Sequence, residues 1–375
     1  MKILHILHEL KFSGAEIMYV DAAPLFQEKG CDLSVVATAV NLGEFAPNFE
    51  RAGFMLFHKP YPPLKNYIKR IEYYIQFIRF LKQKKYDVVH IHDSATMWGI
   101  SLCARFARVR AVYTFHNVFS THFYSYPYHC LLRWTAKSFF GCRFHTISDS
   151  VYEHELKLYH NKTTKIYNWY GSNRFYPAIP GEKKAIREDL NISQDTLVLI
   201  SIGGCSLIKN HSEIIKALSI ILKKKPNCLY LHLGKGELES EEIDLAKELG
   251  VYEQIWFCGN QLDVRKYLIA SDIYLMTSHF EGISITTIEA MACLVPAILY
   301  DVPGLCDFNK EEEVSLLISE DYKILAEKID YLNSHPEKAL ELSKKAKFLV
   351  DSKFYMTNNV IRILNLYTRN LLTKV

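Results

Sequence analysis

The sequence predicts an α/β fold of two doubly wound halves, each built around a buried parallel sheet. Short apolar runs alternate with helical patterns along the chain, which is typical of parallel strands that are covered on both faces. The alternation stops and restarts once, at the Asn-, Gly- and Pro-rich stretch 168–181, which has the composition of a linker. With 375 residues, the chain is long enough for two domains of ordinary size.

The apolar runs give the individual strands. The predicted strands of the first half are 2–7, 32–38, 54–58, 87–92, 111–116, 143–148 and 165–167. Those of the second half are 197–203, 229–234, 255–258, 273–277, 297–300 and 315–318. The segment from 352 to 372 has the period of an amphipathic helix. Its apolar side consists of Val360, Ile363, Leu364, Tyr367 and Leu371.

Composition and residue spacing exclude several classes of protein. The chain is 49% hydrophobic and 23% charged, as globular proteins are, and no apolar run reaches the roughly 18 residues of a membrane-spanning helix. The apolar part of the N-terminus is too short for a signal peptide. The nine cysteines are scattered without a C-x-x-C pair, which predicts a reducing cytoplasm and neither a disulfide framework nor a zinc cluster. His90 and His92 lie two apart on a predicted strand but lack a third ligand, so no metal site is predicted.

Charge is distributed unevenly between the halves. Residues 1–170 contain 21 Lys and Arg against 13 Asp and Glu, whereas the rest of the chain has 24 against 28. A basic first half predicts an anionic surface or substrate for that half.

Part of this positive charge lies in the segment 59–85, which has eight Lys and Arg, one Glu and interleaved Tyr and Phe. The positions expected to face the core at helical spacing are Ile68, Ile71, Ile75, Ile78 and Leu81. The positions expected to form a cationic rim are Lys65, Lys69, Arg70, Arg79 and Lys82. A basic amphipathic helix can lie on an anionic membrane surface; the alternative is a helix packed on the sheet with a solvated polar face. No nucleic-acid-binding motif accompanies the charges, so nucleic acid is not an expected partner.

The stretch 278–293 carries the clearest functional pattern. A predicted strand ends there, a polar loop holds Glu281 and Gly282, and a helix with Glu289 follows. On a helix the two carboxylates lie about 12 Å apart, which is too far to act on one bond but suits two hydroxyl groups of an elongated ligand. Gly282 permits close backbone approach, and the free N–H groups of the helix start favour an anion. The pattern predicts a nucleotide sugar; the alternative is a strand, a loop and a helix with ordinary solvated acids.

Glu281 and Glu289, with Gly282 and the following Glu-Ala-Met-Ala-Cys, resemble the E-x7-E signature of the family 4 retaining glycosyltransferases, of the type that builds bacterial polysaccharides. The resemblance implies the GT-B fold, in which two Rossmann-like domains face each other across a cleft. It implies an N-terminal acceptor domain of residues 1–170 and a C-terminal donor domain of residues 171–351. The last helix, in 352–375, would cross back to the first domain.

Other motifs fit the same family. Ser13-Gly14-Ala15-Glu16 resembles the loop near the donor phosphate and the acceptor, and it is not the G-x-G-x-x-G of dehydrogenases. His116, at the end of a predicted strand, matches a histidine that contacts the donor sugar. Lys209 matches the lysine that neutralises the donor diphosphate, but Gly204 stands where the family has an arginine. Each motif alone also fits a plain turn, a structural histidine or a solvated lysine.

The resemblance implies an enzyme that moves a sugar from a nucleoside diphosphate sugar to a hydroxyl group of a lipid-linked glycan, with retention at the anomeric carbon. The implied catalytic residues are His116 and Glu281. The implied donor-binding residues are Gly14, Lys209, Gly282, Ile283, Ser284 and Glu289. Glu289 would bind the ribose, and Lys209 with the helix start at Ser284 would bind the diphosphate. No cofactor or metal is implied, because the leaving phosphate would deprotonate the acceptor.

Two other functions stay open. A nucleotide-sugar epimerase of GT-B shape would need a second acid–base pair and no acceptor. A catalytically inactive subunit that binds a partner enzyme or a glycan is also compatible with Gly204 in place of the arginine.

Overall fold

The structure, a computed structural model, describes residues 1–118 and 125–368. It divides into two compact units. Unit 1 comprises Met1–Asn168 and the segment that begins at Met356, and unit 2 comprises Trp169–Tyr355. Every predicted strand is present, with both ends within two residues of the expected positions. The prediction of a doubly wound α/β fold is therefore confirmed.

Unit 1 is built on a parallel sheet. Its strands are β1 (Lys2–Leu7), β2 (Asp32–Ala37), β3 (Met55–His58), β4 (Val88–Ile91), β5 (Arg110–Phe115), β6 (Arg143–Thr146) and β7 (Thr164–Lys165). Its helices are α1 (Gly14–Glu28), α2 (Ala46–Arg51), α3 (Tyr67–Lys84), α4 (Met97–Ala107), α5 (Tyr126–Ser138), α6 (Asp149–Tyr159) and, after unit 2, α14 (Met356–Thr368). The strand order is β3-β2-β1-β4-β5-β6-β7. The winding direction reverses between β1 and β4, and parallel sheets of this kind bind ligands beyond the carboxyl ends of the strands near such a reversal.

Unit 2 repeats the plan. Its strands are β8 (Leu197–Ile202), β9 (Cys228–Leu233), β10 (Ile255–Gly259), β11 (Ile273–Met276), β12 (Ala297–Tyr300) and β13 (Leu316–Ile318). Its helices are α7 (Glu182–Asp189), α8 (Ser212–Lys224), α9 (Glu239–Glu248), α10 (Val264–Ala270), α11 (Ile285–Ala292), α12 (Tyr322–Ser334) and α13 (Pro336–Lys353). The strand order β10-β9-β8-β11-β12-β13 places the reversal between β8 and β11. Both β8 and β9 are buried along their full length, as their unbroken apolar sequences require.

The buried face of α3 differs from the prediction. Ile68, Ile71 and Ile75, which were expected in the core, are 66%, 58% and 47% exposed. Leu81, which was also predicted in the core, is buried, and the other buried residues of the helix are Phe77 and Phe80. The Phe80 ring packs edge-on against Phe57 of β3 at a centroid distance of 5.0 Å. Because each aromatic ring buries more apolar area than an isoleucine, the helix is turned so that its aromatic positions face the sheet.

The C-terminal helical segment is divided in two. α13 ends at Lys353 and α14 begins at Met356, so the single helix predicted from residue 352 is interrupted. α14 packs against α1, and its predicted apolar positions Val360, Ile363 and Tyr367 are fully buried; Leu371 lies outside the described residues.

Tyr367 anchors α14 within unit 1. Its hydroxyl group is 2.5 Å from Nδ1 of His90 in β4, and its carbonyl accepts a hydrogen bond from Arg110 in β5 at 2.8 Å. The helix is therefore tied to the middle of the first sheet. Across the described residues, none of the helices has both the length and the apolarity that crossing a bilayer requires.

Replacing Tyr367 should destabilise unit 1 in proportion to what is removed. Tyr367→Phe leaves His90 Nδ1 buried without its hydroxyl partner, and we expect a loss of about 1–3 kcal/mol in the free energy of unfolding. Tyr367→Ala adds a cavity and should cost about 3–5 kcal/mol. The exposed Ile361 on the same helix is the control, since Ile361→Ala should change stability by no more than about 0.5 kcal/mol. Urea unfolding followed by circular dichroism measures all three, and a Tyr367→Phe variant as stable as Ile361→Ala would contradict the anchoring role.

Candidate active site

The first part of the candidate site is the loop between β11 and α11 in unit 2. This loop contains Glu281, and Gly282, Ile283 and Ser284 after it are all buried. Ser284 caps α11, since its hydroxyl oxygen accepts a hydrogen bond from the N–H of Thr287 at 3.2 Å. A glycine and a capped helix N-terminus therefore follow directly after the carboxylate, and this arrangement suits an anionic ligand.

Lys209 and Glu281 are in direct contact although they are 72 positions apart. Lys209 Nζ lies 2.6 Å from Glu281 Oε1, and the same oxygen accepts a hydrogen bond from Ser278 Oγ at 2.9 Å. The Lys209 and Glu281 side chains are 24% and 14% exposed, so solvent still reaches the pair. An ammonium group and a carboxylate at one accessible place can bind a phosphate and a hydroxyl group of one ligand.

Hydrogen bonds between two loops hold this pair together. Thr277 Oγ1 donates to the carbonyl of Asn210 at 2.9 Å, and the N–H of His279 donates to the carbonyl of Ile208 at 2.9 Å. The loop after β8 is thereby joined to the loop after β11, and these two strands are neighbours in the sheet. The strand order thus brings together the Lys209 and Glu281 motifs that the sequence suggested separately.

Glycines surround the ion pair because backbones and side chains approach closely there. A Cβ atom at Gly304, whose φ is +84°, would lie 2.3 Å from the carbonyl oxygen of Glu281, and one at Gly234 would lie 2.0 Å from that of Gly203. At Gly204, a Cβ atom would be 3.0 Å from the carbonyl oxygen of Lys235. A side chain at Gly204 would therefore fit only if the carbonyl of Lys235 shifted by a few tenths of an ångström.

Glu289 lies in α11 and is 6% exposed. The structure places Glu281 next to Lys209, and Glu289 eight positions further on, as the fifth residue of α11.

In unit 1, Gly14 is the first residue of α1, at the carboxyl edge of the sheet beyond β1. The preceding Ser13 does not cap the helix; its hydroxyl group instead contacts the Glu16 carboxylate. Glu16 is buried, and this burial raises the pKa of its carboxyl group. The Ser13–Glu16 motif is therefore a local turn in which Ser13 is exposed, Glu16 is buried and Gly14 starts the helix.

His116 ends a chain of three histidines. His92 Nδ1 lies 2.9 Å from His116 Nε2, and His5 Nδ1 lies 3.0 Å from His92 Nε2. Burial, and then the nearby His145, lower the pKa of His116 to about 3, while burial lowers that of His5 to about 3. Near neutral pH these rings are uncharged, so His116 can act as a hydrogen-bonding group but not as a cation.

The direction of donation along these three histidines follows from His5, the innermost of them. His5 Nε2 is buried and has no hydrogen-bond partner in the described part of the protein. A buried N–H without an acceptor is costlier than a bare ring nitrogen, so His5 is favoured with its proton on Nδ1. His5 then donates to His92 and His92 donates to His116, which leaves the proton of His116 on Nδ1, away from the chain. His5 and His92 thus prepare His116 as a hydrogen-bond donor.

The partners of His116 were not predicted from the sequence. No third ligand was expected for His90 and His92, whereas the structure places His5 beside them. The expectation that these two histidines stand alone was wrong, because His5 and His90 are direct neighbours only once β1 pairs with β4. His90 uses both nitrogens for hydroxyl groups, those of Tyr367 at 2.5 Å and Thr114 at 2.6 Å. This group is therefore a hydrogen-bond network.

Family models match most of the chain. A model described as "Glycosyltransferase Family 4" matches residues 12–172, and one described as "Glycosyl transferases group 1" matches residues 182–348. The "Putative glycosyltransferase EpsD" of Bacillus subtilis (strain 168) is 24% identical over 86% of this chain and 85% of its own length. A "UDP-Gal:alpha-D-GlcNAc-diphosphoundecaprenol alpha-1,3-galactosyltransferase" of Escherichia coli is 23% identical over 85% of this chain and 84% of its own.

Solved glycosyltransferases share the fold. The glycosyltransferase of Rickettsia africae ESF-5 superposes with a TM-score of 0.83 at 19% identity, over 100% of this chain and 99% of its own. Anabaena Alr3699/HepE in complex with UDP-glucose gives a TM-score of 0.81 at 19% identity, over 98% and 99%. These likenesses show that the two units form the GT-B fold that the sequence predicted.

The buried histidines should make the protein sensitive to acid. The pKa of His116 is about 3 in the native state and 6.5 in an unfolded chain, so stability is complete above pH 6.5 and is lost as the pH falls from 6.5 towards 3. We expect His116→Gln to make the decline shallower by about 1.4 kcal/mol per pH unit, the effect of one proton. His8→Gln, which removes a histidine whose side chain is 68% exposed, is the control. Urea unfolding at several pH values measures the slopes; equal slopes for wild type and His116→Gln would show that His116 is not held neutral by the fold.

Proposed function

The chain belongs to the family 4 glycosyltransferases, and we propose that it moves a sugar from a nucleoside diphosphate sugar to a hydroxyl group of a lipid-linked glycan, with retention at the anomeric carbon. The observation that carries the proposal is the contact between Lys209 and Glu281 at the start of α11. The nucleotide of HepE and the donor and acceptor in the name of the Escherichia coli relative support a uridine nucleotide and a lipid diphosphate acceptor.

Donor binding in unit 2 would exchange the partners of the ion pair. The diphosphate takes the ammonium group of Lys209, and the N–H groups at Gly282, Ile283 and Ser284 bind the same anion. Glu281, still held by Ser278, then accepts a hydrogen bond from a hydroxyl group of the sugar. In the free protein, Lys209 and Glu281 thus hold each other in place. When the donor binds, its diphosphate and its sugar take over as their partners.

The remaining residues have narrower roles. Glu289 accepts hydrogen bonds from the ribose hydroxyl groups. In unit 1, His116 donates its Nδ1–H to a sugar or acceptor hydroxyl group, and the N–H groups at the start of α1, at Gly14, face the polar substrate. A neutral His116 suits this role, because a hydrogen-bond donor that does not titrate near pH 7 acts equally over the whole physiological range.

Retention follows from the leaving group in this proposal. The bond between the anomeric carbon and the diphosphate breaks, and the phosphate oxygen that leaves takes the proton of the acceptor hydroxyl group. That hydroxyl oxygen forms the new bond on the same face of the sugar. Charge on the leaving phosphate grows during the step, and Lys209 with the N-terminus of α11 stabilises it, so most of the acceleration is positioning and electrostatics. The reaction needs no cofactor besides the nucleotide sugar.

Variants of the ion pair test this proposal. Lys209→Ala should weaken UDP binding by about 1.5–3 kcal/mol, because it removes a charged hydrogen-bond donor from the diphosphate. Glu281→Gln should bind UDP at least as well as wild type but lower kcat by about 10²–10³, as expected for a group that acts on the transferred sugar. Lys216→Ala is the matched control, since Lys216 pairs with Glu213 on the surface of α8. Calorimetry with UDP measures binding, and transfer from UDP-sugars to a synthetic lipid diphosphate sugar measures kcat.

The same assay separates the other functions. Product with the anomeric configuration of the donor supports retention, and product with the opposite configuration contradicts it. A UDP-sugar converted to its epimer without any acceptor would identify an epimerase. A wild-type chain that binds neither UDP nor UDP-sugars would indicate an inactive subunit.

The segment 59–85 offers a surface for the membrane that carries such an acceptor. Its exposed apolar side chains are Leu64, Tyr67, Ile68, Ile71 and Ile75, each at least 47% exposed. Exposed Lys65 and Lys69 lie among them, and each cation near an anionic bilayer contributes about 1 kcal/mol. A helix with apolar residues and cations on one accessible stripe fits the interface of an anionic bilayer. We propose that this surface binds the cytoplasmic face of the membrane.

Vesicle binding tests this surface. We expect the wild-type chain to sediment with vesicles that contain anionic lipids and not with purely zwitterionic ones, and added salt should weaken the binding. The combined variant Ile68→Ser, Ile71→Ser and Ile75→Ser should abolish it. Phe348→Ser removes a 74% exposed ring from α13 and serves as the control. Binding that the triple variant retains in full would exclude this surface.

A further inference from the structure

A second cluster of reactive side chains, formed by Cys205, His211, His232 and Glu242, lies inside unit 2. Cys205 is in the loop after β8, His211 directly precedes α8, His232 is in β9 and Glu242 is in α9. All four are buried, and one potential ligand atom from each lies within 4.8 Å of the others. A thiol, two imidazoles and a carboxylate are the donor types that bind borderline divalent ions such as Zn²⁺.

The distances are close to those of a tetrahedral site. His232 Nε2 lies 2.9 Å from His211 Nδ1, 3.0 Å from Glu242 Oε2 and 3.9 Å from Cys205 Sγ. His211 Nδ1 lies 3.4 Å from Glu242 Oε1. Around a zinc ion with bonds of about 2.0–2.3 Å, neighbouring ligand atoms are roughly 3.3–3.8 Å apart. Small side-chain rotations would therefore bring the four groups to ligand distances.

Hydrogen bonds within the protein satisfy this cluster only in part. Glu242 Oε2 is buried and, within the described residues, has no hydrogen bond of acceptable geometry. The outer nitrogens, His211 Nε2 and His232 Nδ1, have none either. The inner nitrogens, His211 Nδ1 and His232 Nε2, face each other at hydrogen-bond distance. A metal ion would replace that contact, with the protons on the outer nitrogens and both inner nitrogens bare towards the ion.

Charge favours a cation at the centre. The carboxyl group of Glu242 and the thiol of Cys205 lie together in the interior beside two imidazole rings. A buried charge without a partner is unfavourable, so anionic forms of these groups need a cation beside them. A divalent ion with a Cys205 thiolate and the Glu242 carboxylate makes the whole cluster neutral.

We propose that Cys205, His211, His232 and Glu242 bind one structural Zn²⁺-type ion. All four positions around it are filled by protein, so the site has no open position for a substrate. The ion would fasten the loop after β8 to β9 and α9. Lys209 lies between Cys205 and His211 in the sequence, so the metal would limit the movement of the loop that carries this lysine. The proposal does not depend on the transferase reaction.

Metal binding to the full chain tests the proposal. The protein, prepared without a histidine tag and stripped with a chelator, is titrated with Co²⁺ and with Zn²⁺. We expect one ion per chain, a thiolate-to-Co²⁺ charge-transfer band, and a higher unfolding temperature with Zn²⁺ because the metal binds the native state. In Cys205→Ser the band should disappear. The affinity for Co²⁺ should fall by more than the roughly 10–100-fold that is lost when a residue hydrogen-bonded to a metal ligand is changed, because Cys205 is itself a ligand. Glu242→Gln keeps the band but binds more weakly.

Cys228→Ser is the matched control, because Cys228 is a buried cysteine of β9 outside the cluster; it should behave as wild type. A charge-transfer band that persists in Cys205→Ser would overturn the assignment. A folded wild-type chain that takes up no Co²⁺ would overturn it without any variant, so the test remains decisive if a variant fails to fold.

Discussion

The contact between Lys209 and Glu281 depends on how closely two loops can approach at the carboxyl edge of the second sheet. The aliphatic part of Lys209 passes over Gly203, where a Cβ atom would lie 3.2 Å from it, and Gly304 leaves room for the backbone of Glu281. Side chains at these positions would move the ammonium group or the carboxylate. The pair therefore results from backbone packing as much as from charge, and a ligand that separates it meets both groups already positioned.

Parallel topology explains why the sequence could predict so much of this arrangement. Every strand of each sheet runs in the same direction, so all the loops that follow strands lie at one edge. Lys209 follows β8 and Glu281 follows β11 in unit 2, and His116 follows β5 in unit 1. Recognising that each motif stands directly after an apolar run was enough to assign it to that edge. The sequence also predicted every strand, because unbroken apolar runs leave few alternatives.

What the sequence could not predict depends on which elements are neighbours. His5 joins His92 only because β1 pairs with β4, and His232 meets Cys205 and His211 only because β9 lies beside β8. The apolar face of α3 was misassigned for a related reason. The helix has two apolar stripes, one of isoleucines and one of aromatic rings, and only the sheet that it covers decides which is buried.

The buried histidines of the two units have different neighbours. Those neighbours decide whether a histidine cluster only stabilises the fold or can also bind an ion. In unit 1, each histidine of the chain ending at His116 has a neutral neighbour, so uncharged rings satisfy one another. In unit 2, His211 and His232 converge on a carboxylate and a thiol, two groups that are anionic when they bind a metal ion. The same residue type at similar burial thus forms a neutral relay where the neighbours are imidazoles, and a cation site where the neighbours include acids.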